Sequence, residues 1–123
     1  MSAEIWMPCF ETYEVSNLGN IRRNNISTGE PKMVKGSITN RRNGSSGYRY
    51  FQLQRDGARM NVYFHHLVAQ YFLGNRPSGQ VIDHINRNKL DNRAVNLRYV
   101  SNEENLHNSQ WYLQKIEIGR AHV

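Results

Sequence analysis

The sequence predicts an α+β chain: a small β-rich N-terminal part, followed by a core in which two strands lead into a helix. Three observations predict it. Through the first half, apolar residues alternate with polar ones between turns rich in Gly and Asn. At "HHLVAQYFLG" the spacing changes to that of a helix. Beyond it, two short apolar runs flank a long polar loop, and Ser101 with Glu104 forms an S-x-x-E capping box. At 123 residues one domain is expected. Only 38% of the residues are hydrophobic, so the core is expected to be thin or divided.

In chain order, "EIWMPCFETYEVSNLGNIRR" reads as strand, tight turn and strand. Tyr13 and Val15 alternate with polar neighbours, "SNLGN" supplies the turn, and Ile21 resumes the apolar pattern. Trp6, Phe10, Tyr13 and Val15 are expected to form the small core of this element. "KMVKGSI" is a weak strand and "TNRRNGSSG" a basic loop. "YRYFQLQ" and "MNVYF" are strands joined by a hairpin turn at "RDGAR". Leu67, Val68, Tyr71 and Phe72 share a helical face, with Gly74 as the stop. After a loop at Pro77 and Gly79, "QVIDHI" and "LRYV" make a hairpin over 80–100, and a second helix is expected from Ser101 to about Gln114. No internal repeat is seen.

Lys and Arg outnumber Asp and Glu by 16 to 10, a formal net charge of +6. That balance favours a polyanionic partner, nucleic acid ahead of an anionic membrane surface. Between Arg22 and Arg59 nine basic residues face only Glu30 and Asp56, interleaved with Tyr48, Tyr50 and Phe51. Such a strip suits phosphate contacts, and Arg22, Arg23, Lys35, Arg41, Arg42, Arg49 and Arg59 are its candidates. Cys9 is the single cysteine, which excludes an internal disulfide and a cysteine-pair zinc site and favours a reducing, intracellular setting. No apolar run approaches the ~18–20 residues that span a bilayer, and the N-terminus lacks a signal-peptide pattern.

The chemistry concentrates in "VIDHINRNKLDNRAVNLRYVSNEEN", residues 81–105. Hydrolysing a phosphodiester at neutral pH needs an activated water, neutralised charge on the phosphate and a stabilised leaving oxygen. A histidine suits the first task, because imidazole ordinarily titrates near neutrality. A hard divalent cation suits the other two, and oxygens of Asp and Asn suit Mg²⁺ or Mn²⁺. His84 is therefore assigned as general base, with Asp83 and Asn105 as ligands of one Mg²⁺ or Mn²⁺ ion. Asn96 is expected to lock the loop and to orient His84 through a hydrogen bond. Adjacent strand residues face opposite ways, so Asp83 and His84 are expected at a strand end where the chain turns.

"VIDHINRNKLDNRAVNLRYVSNEENLHNS" resembles the core of HNH homing-type endonucleases, common in phages and their introns. The likeness rests on the Asp-His pair, the Asn-Leu twelve residues after His84, Asn105 nine residues further on, and "DNR" between them. "HHLVAQYF" resembles the H-x-L-V-A-x-x-F segment that leads into such cores, which makes His65 a candidate support and ranks it above His66. "IWMPCFETYEVSNLGNIRR" resembles a modular motif found ahead of them, and together these cover most of residues 4–109. The resemblance implies a ββα-metal fold and a nicking or double-strand DNA endonuclease that leaves 5′-phosphate and 3′-hydroxyl ends. It implies residues 1–59 as a basic, nuclease-associated, DNA-contacting region and 60–116 as the core. Double-stranded DNA is the expected partner, with no membrane and no obligate protein partner, in the cytoplasm of a phage-infected or bacterial host. Many relatives carry Gly where this chain has Arg87; Asn86 or Asn88 is expected to take the positive φ instead, leaving Arg87 to meet a phosphate.

Plainer readings stand beside these. Asn17, Asn20, Asn92 and Asn108 read as turn formers and caps, and His107 as exposed. One codon choice for residues 117–123, "EIGRAHV", resembles a widely used sequencing adapter. The natural chain is therefore expected to continue differently beyond about Ile116, and His122 carries no role. Competing functions are a catalytically inactive DNA-binding remnant or regulator, and an RNA-binding protein with a basic, aromatic β surface.

Overall fold

The computed structural model describes residues 3–24, 27–39 and 47–102. Strands β1 (Trp6–Cys9), β2 (Tyr13–Ser16), β3 (Ile21–Asn24) and β4 (Pro31–Met33) form an antiparallel sheet in that order. The opening segment, read as two strands about one turn, thus holds three. The extra turn lies at Phe10 and Glu11, whose φ angles are 49° and 65°. Neither residue type advertises a left-handed turn. "KMVKGSI" also divides: its first part is β4, and β5 (Ser37–Ile38) joins a second sheet. Gly36 stands at the break, where a Cβ would collide with the Tyr50 carbonyl.

The second sheet runs β5, β6 (Arg49–Arg55) and β7 (Ala58–Tyr63). Asp56 and Gly57 close the β6–β7 hairpin with φ of 53° and 78°, as a tight I′-type turn requires. Strand β7 passes directly into helix α1 (Phe64–Phe72). A last hairpin pairs β8 (Gln80–His84) with β9 (Leu97–Ser101), in a register running from Gln80↔Ser101 to His84↔Leu97. Ser101, the expected helix start, instead closes β9; residues 103–114 of the expected helix, residues 40–46 of the basic loop and the 117–123 tail lie outside the described residues. Among the described residues no helix is long and apolar enough to cross a membrane.

Helix α1 is the hub. Its Phe64, Leu67, Val68 and Ala69 pack with Cys9, Val15 and Ile21 from the first sheet, Phe51 and Leu53 from the second, and Leu97 from the hairpin. The register sets Val15 beside Ile21, and both are fully buried. One hydrophobic cluster therefore runs through both parts distinguished in the sequence. Each large side chain so buried contributes about 1.5–3 kcal/mol. Trp6, placed in the core from the sequence, instead lies half-buried beneath the Arg22 guanidinium, 3.8 Å from the ring centre.

Candidate active site

Strand β8 ends at His84, and the Arg87 amide donates to the His84 carbonyl at 2.9 Å, turning the chain into the polar loop. Arg87 itself carries the positive φ, 65°, not Asn86 or Asn88 as expected. The loop's hydrogen bonds explain the shift. Asn86 Oδ1 accepts from the Asn88 amide at 2.8 Å and from Asn96 Nδ2 at 2.9 Å, while Asn86 Nδ2 donates to Asp91 at 2.8 Å. Asn88 Oδ1 accepts from the Leu90 amide at 3.1 Å. Both asparagines are held by their side chains, and the left-handed conformation falls on the residue between them. For a side chain such as Arg it costs about 1–2 kcal/mol.

Asn96 is the centre of that network. Buried, it donates to Asn86 Oδ1 and to the Asp91 carbonyl at 2.8 Å, and accepts from the Asn86 amide at 3.0 Å. Its own carbonyl accepts from the Ile85 amide at 2.8 Å. It joins both ends of the loop. The hydrogen bond on the His84 ring, however, comes from Asn92, with Nε2 2.9 Å from Asn92 Oδ1. The side-chain nitrogen and oxygen of Asn96 are already engaged in the loop, which is why the expected Asn96–His84 bond is replaced. Asp91 anchors the same loop. Its carboxyl is held down to about 2, chiefly by hydrogen bonds from Arg93 and further by Asn86, against the opposing effect of burial.

His84 and Asn92 are 6% and 3% exposed, so their bond is shielded from water. With Asn92 Oδ1 turned toward the ring, Nε2 is the donor of that bond and Nδ1 is left to accept, while Asn92 Nδ2 is buried without a hydrogen-bond partner among the described residues. The His84 ring centre lies 5.2 Å from that of His65 and 6.1 Å from that of Tyr48, and His65 stacks on Tyr48 at 4.9 Å. His65 is thus brought to His84. Burial, then the neighbouring His66 and His84, push its pKa down to about 3, so it stays neutral beside the site at ordinary pH. Lys89, not singled out from the sequence, lies 4.9 Å over the Tyr48 ring.

Asp83 stands opposite Arg98 in the hairpin and ion-pairs with it through Oδ2 at 2.9 Å. Strand alternation turns it away from His84, and among the described residues no hydrogen bond or ion pair joins the two. Its Oδ1 receives no hydrogen bond from the described residues, and a free carboxylate oxygen suits a hard divalent cation. Asn105 lies outside the described residues. Among the described residues no group of three His, Cys, Asp or Glu is placed to hold a metal.

The basic candidates divide by environment. The Arg22 guanidinium, already against Trp6, ion-pairs with Glu14 at 2.9 Å. That of Arg49 lies 4.2 Å from the Phe64 ring centre and donates to the Lys35 and Val34 carbonyls at 2.8 and 3.2 Å. Both brace the fold. Arg23, Lys35, Arg59 and Arg87 are exposed, and Arg41 and Arg42 lie outside the described residues.

Asn92 and Arg98 are the site residues that sequence reasoning passes over. For Asn92 the available signal is "DNR" inside the shared pattern; for Arg98 it is a basic residue in cross-strand register with Asp83.

Residues 62–107 match the family model for the HNH endonuclease. The chain is 34% identical over 110 residues to an uncharacterised HNH endonuclease of Acanthamoeba polyphaga mimivirus, a match covering 85% of this chain and 25% of that protein. It is 33% identical over 96 residues to the DNA endonuclease I-HmuI of Bacillus phage SP01, covering 78% of this chain and 50% of that protein. A solved structure of DNA binding and cleavage by the HNH homing endonuclease I-HmuI matches with a TM-score of 0.69 and 29% identity, over 91% of this chain and 65% of that one. Against these two curated relatives the chain thus spans a quarter and a half of their length.

Proposed function

We propose that this chain, which carries an HNH endonuclease domain over residues 62–107, hydrolyses phosphodiester bonds of double-stranded DNA with His84 as general base. The observation that carries the proposal is the buried contact of His84 Nε2 with Asn92 Oδ1 at 2.9 Å, which supports a ring held from one side with Nδ1 left to accept a proton. With Nε2 committed to Asn92, Nδ1 is the atom that takes a proton from the attacking water. Asn96 acts at one remove by holding the loop that holds Asn92. Arg98 fixes Asp83 by one oxygen and leaves the other for a ligand. Asp83 and Asn105 would hold one Mg²⁺ or Mn²⁺ ion, which would supply Lewis acidity for the phosphate and the leaving oxygen. The exposed Arg23, Lys35, Arg59 and Arg87, with Arg41 and Arg42, grip phosphates, so binding weakens as salt rises.

Supercoiled plasmid with the wild-type chain and Mg²⁺ or Mn²⁺ is expected to become nicked or linear, and the product decides between one-strand and two-strand cutting. EDTA is expected to stop it. Asp83→Ala is expected to lose cutting while still retarding DNA in a gel. Intact plasmid in every lane, with retardation preserved, would identify a DNA-binding remnant and overturn the proposal.

A further inference from the structure

The turn between β2 and β3 reaches into the active-site loop, and none of the chemistry above uses it. The Asn17 carbonyl accepts a hydrogen bond from the Ala94 amide at 2.7 Å. Gly19, buried at a φ of 85°, sits against Asn92: a Cβ there would stand 2.8 Å from the Asn92 carbonyl carbon and 2.9 Å from its oxygen. These are backbone atoms that cannot rotate aside. The turn is itself braced. Ser16 Oγ donates to Glu4 at 2.7 Å and accepts from the Leu18 and Asn20 amides at 3.3 and 3.1 Å. Asn20 Nδ2 donates to the same Glu4 oxygen at 2.7 Å, and Asn17 Oδ1 accepts from the Ile5 amide at 2.6 Å.

A stiff turn from the first sheet therefore abuts the residue that holds the His84 ring. We infer that the Ser16–Asn20 turn positions Asn92 and, through it, the His84 ring, with Gly19 as the residue that permits the close approach. Gly19 and Asn17 touch no reacting atom; they are positioning residues. The consequence for cutting rests on the nuclease proposal, whereas the mechanical coupling does not. It also gives the N-terminal sheet a second task beyond presenting basic side chains, since it becomes part of the frame of the active site. Misplacing a catalytic group by ~1 Å costs up to about 10²-fold in rate.

Gly29 provides a matched control. Its φ is 73°, so Gly29→Ala meets the same backbone strain, yet a Cβ there has nothing within 4 Å. The experiment compares full-length wild type, Gly19→Ala, Gly29→Ala, Asn92→Ala and the Gly19→Ala/Asn92→Ala pair. It reads the His84 ring nitrogens by NMR without DNA, then the cutting rate and DNA affinity.

Gly19→Ala is expected to move the His84 ring signals and to slow cutting by about 10- to 10²-fold with DNA affinity kept. Gly29→Ala is expected to do neither. In the Asn92→Ala background, Gly19→Ala is expected to add no further loss, as for residues acting through one contact. Unmoved His84 signals in Gly19→Ala, or losses that multiply in the double variant, overturn the inference. Should Gly19→Ala fail to fold, Asn17→Ala removes the side-chain bonds to the Ile5 amide and the Ala3 carbonyl without a clash, and its His84 signals are read the same way. A wild-type chain that does not cut refutes the nuclease proposal, and the ring signals then judge the coupling by themselves.

Discussion

Around α1 the chain is held by apolar contact: Phe64, Val68, Val15 and Ile21 are all fully buried, and they come from three different elements. Between His84 and Asn96 it is held by side-chain amides, with Asn86, Asn88 and Asn96 bonded to each other or to nearby backbone, and Asn92 to the His84 ring. The two regions meet at Leu97, which belongs to the core, one residue after Asn96, which belongs to the loop. Apolar packing is non-directional and adds up with area, so it fixes that the chain folds. Hydrogen bonds are directional, so they fix where a ring nitrogen points. Stability and chemistry are thereby assigned to neighbouring residues, and substitutions should separate them.

The largest effect is expected in the apolar region. Phe64→Ala should cost about 3–5 kcal/mol in urea unfolding; a loss below about 1 kcal/mol would show that α1 is not the hub. In the amide region, Asn96→Ala strips partners from the Asn86 amide and the Asp91 carbonyl, a cost of about 1–3 kcal/mol. Its cutting should fall further than that loss of folded protein explains, and cutting that merely follows the folded fraction would erase the distinction between the regions.

His65 lies on the border and gives a test by pH. Its folded pKa, about 3, is below the ordinary 6.5. The unfolded chain therefore takes up a proton as pH falls below 6.5 while the folded chain does not. The stability is fully present above that pH and is lost progressively toward pH 3, with at most about 2 kcal/mol gone at pH 5. His65→Leu should flatten the unfolding temperature between pH 7 and 5, and an unchanged slope would contradict the burial of a neutral ring. Below pH 4 Asp91, held at about 2, adds a separate loss. The smallest effect is a gain: Arg87→Gly relieves the left-handed backbone and should stabilise the chain by about 1 kcal/mol.

Strong periodicity is legible in the amino-acid sequence. Leu67, Val68, Tyr71 and Phe72 announce α1, "RDGAR" announces its hairpin, and "QVIDHI" announces a strand, which in the structure stops one residue sooner, at His84. The rest is hidden for physical reasons. Strand β1 merges with its neighbour on the page because its turn uses Phe10 and Glu11, residues that carry no turn signature. Asn92 reads like any loop asparagine, since only the folded loop brings it around to face His84 Nε2. Arg22 and Arg49 read as free positive charge because stacking on Trp6 and Phe64 depends on how the strands pack, which charge counting does not see.

The decisive comparison is wild type with His84→Ala, in which the rate of plasmid cutting and the affinity for the same DNA are measured side by side. Removing a general base typically lowers the rate by ~10²–10⁴-fold, and here that loss is expected with binding unchanged. Cutting by His84→Ala at the wild-type rate would mean that the ring held by Asn92 is not the base.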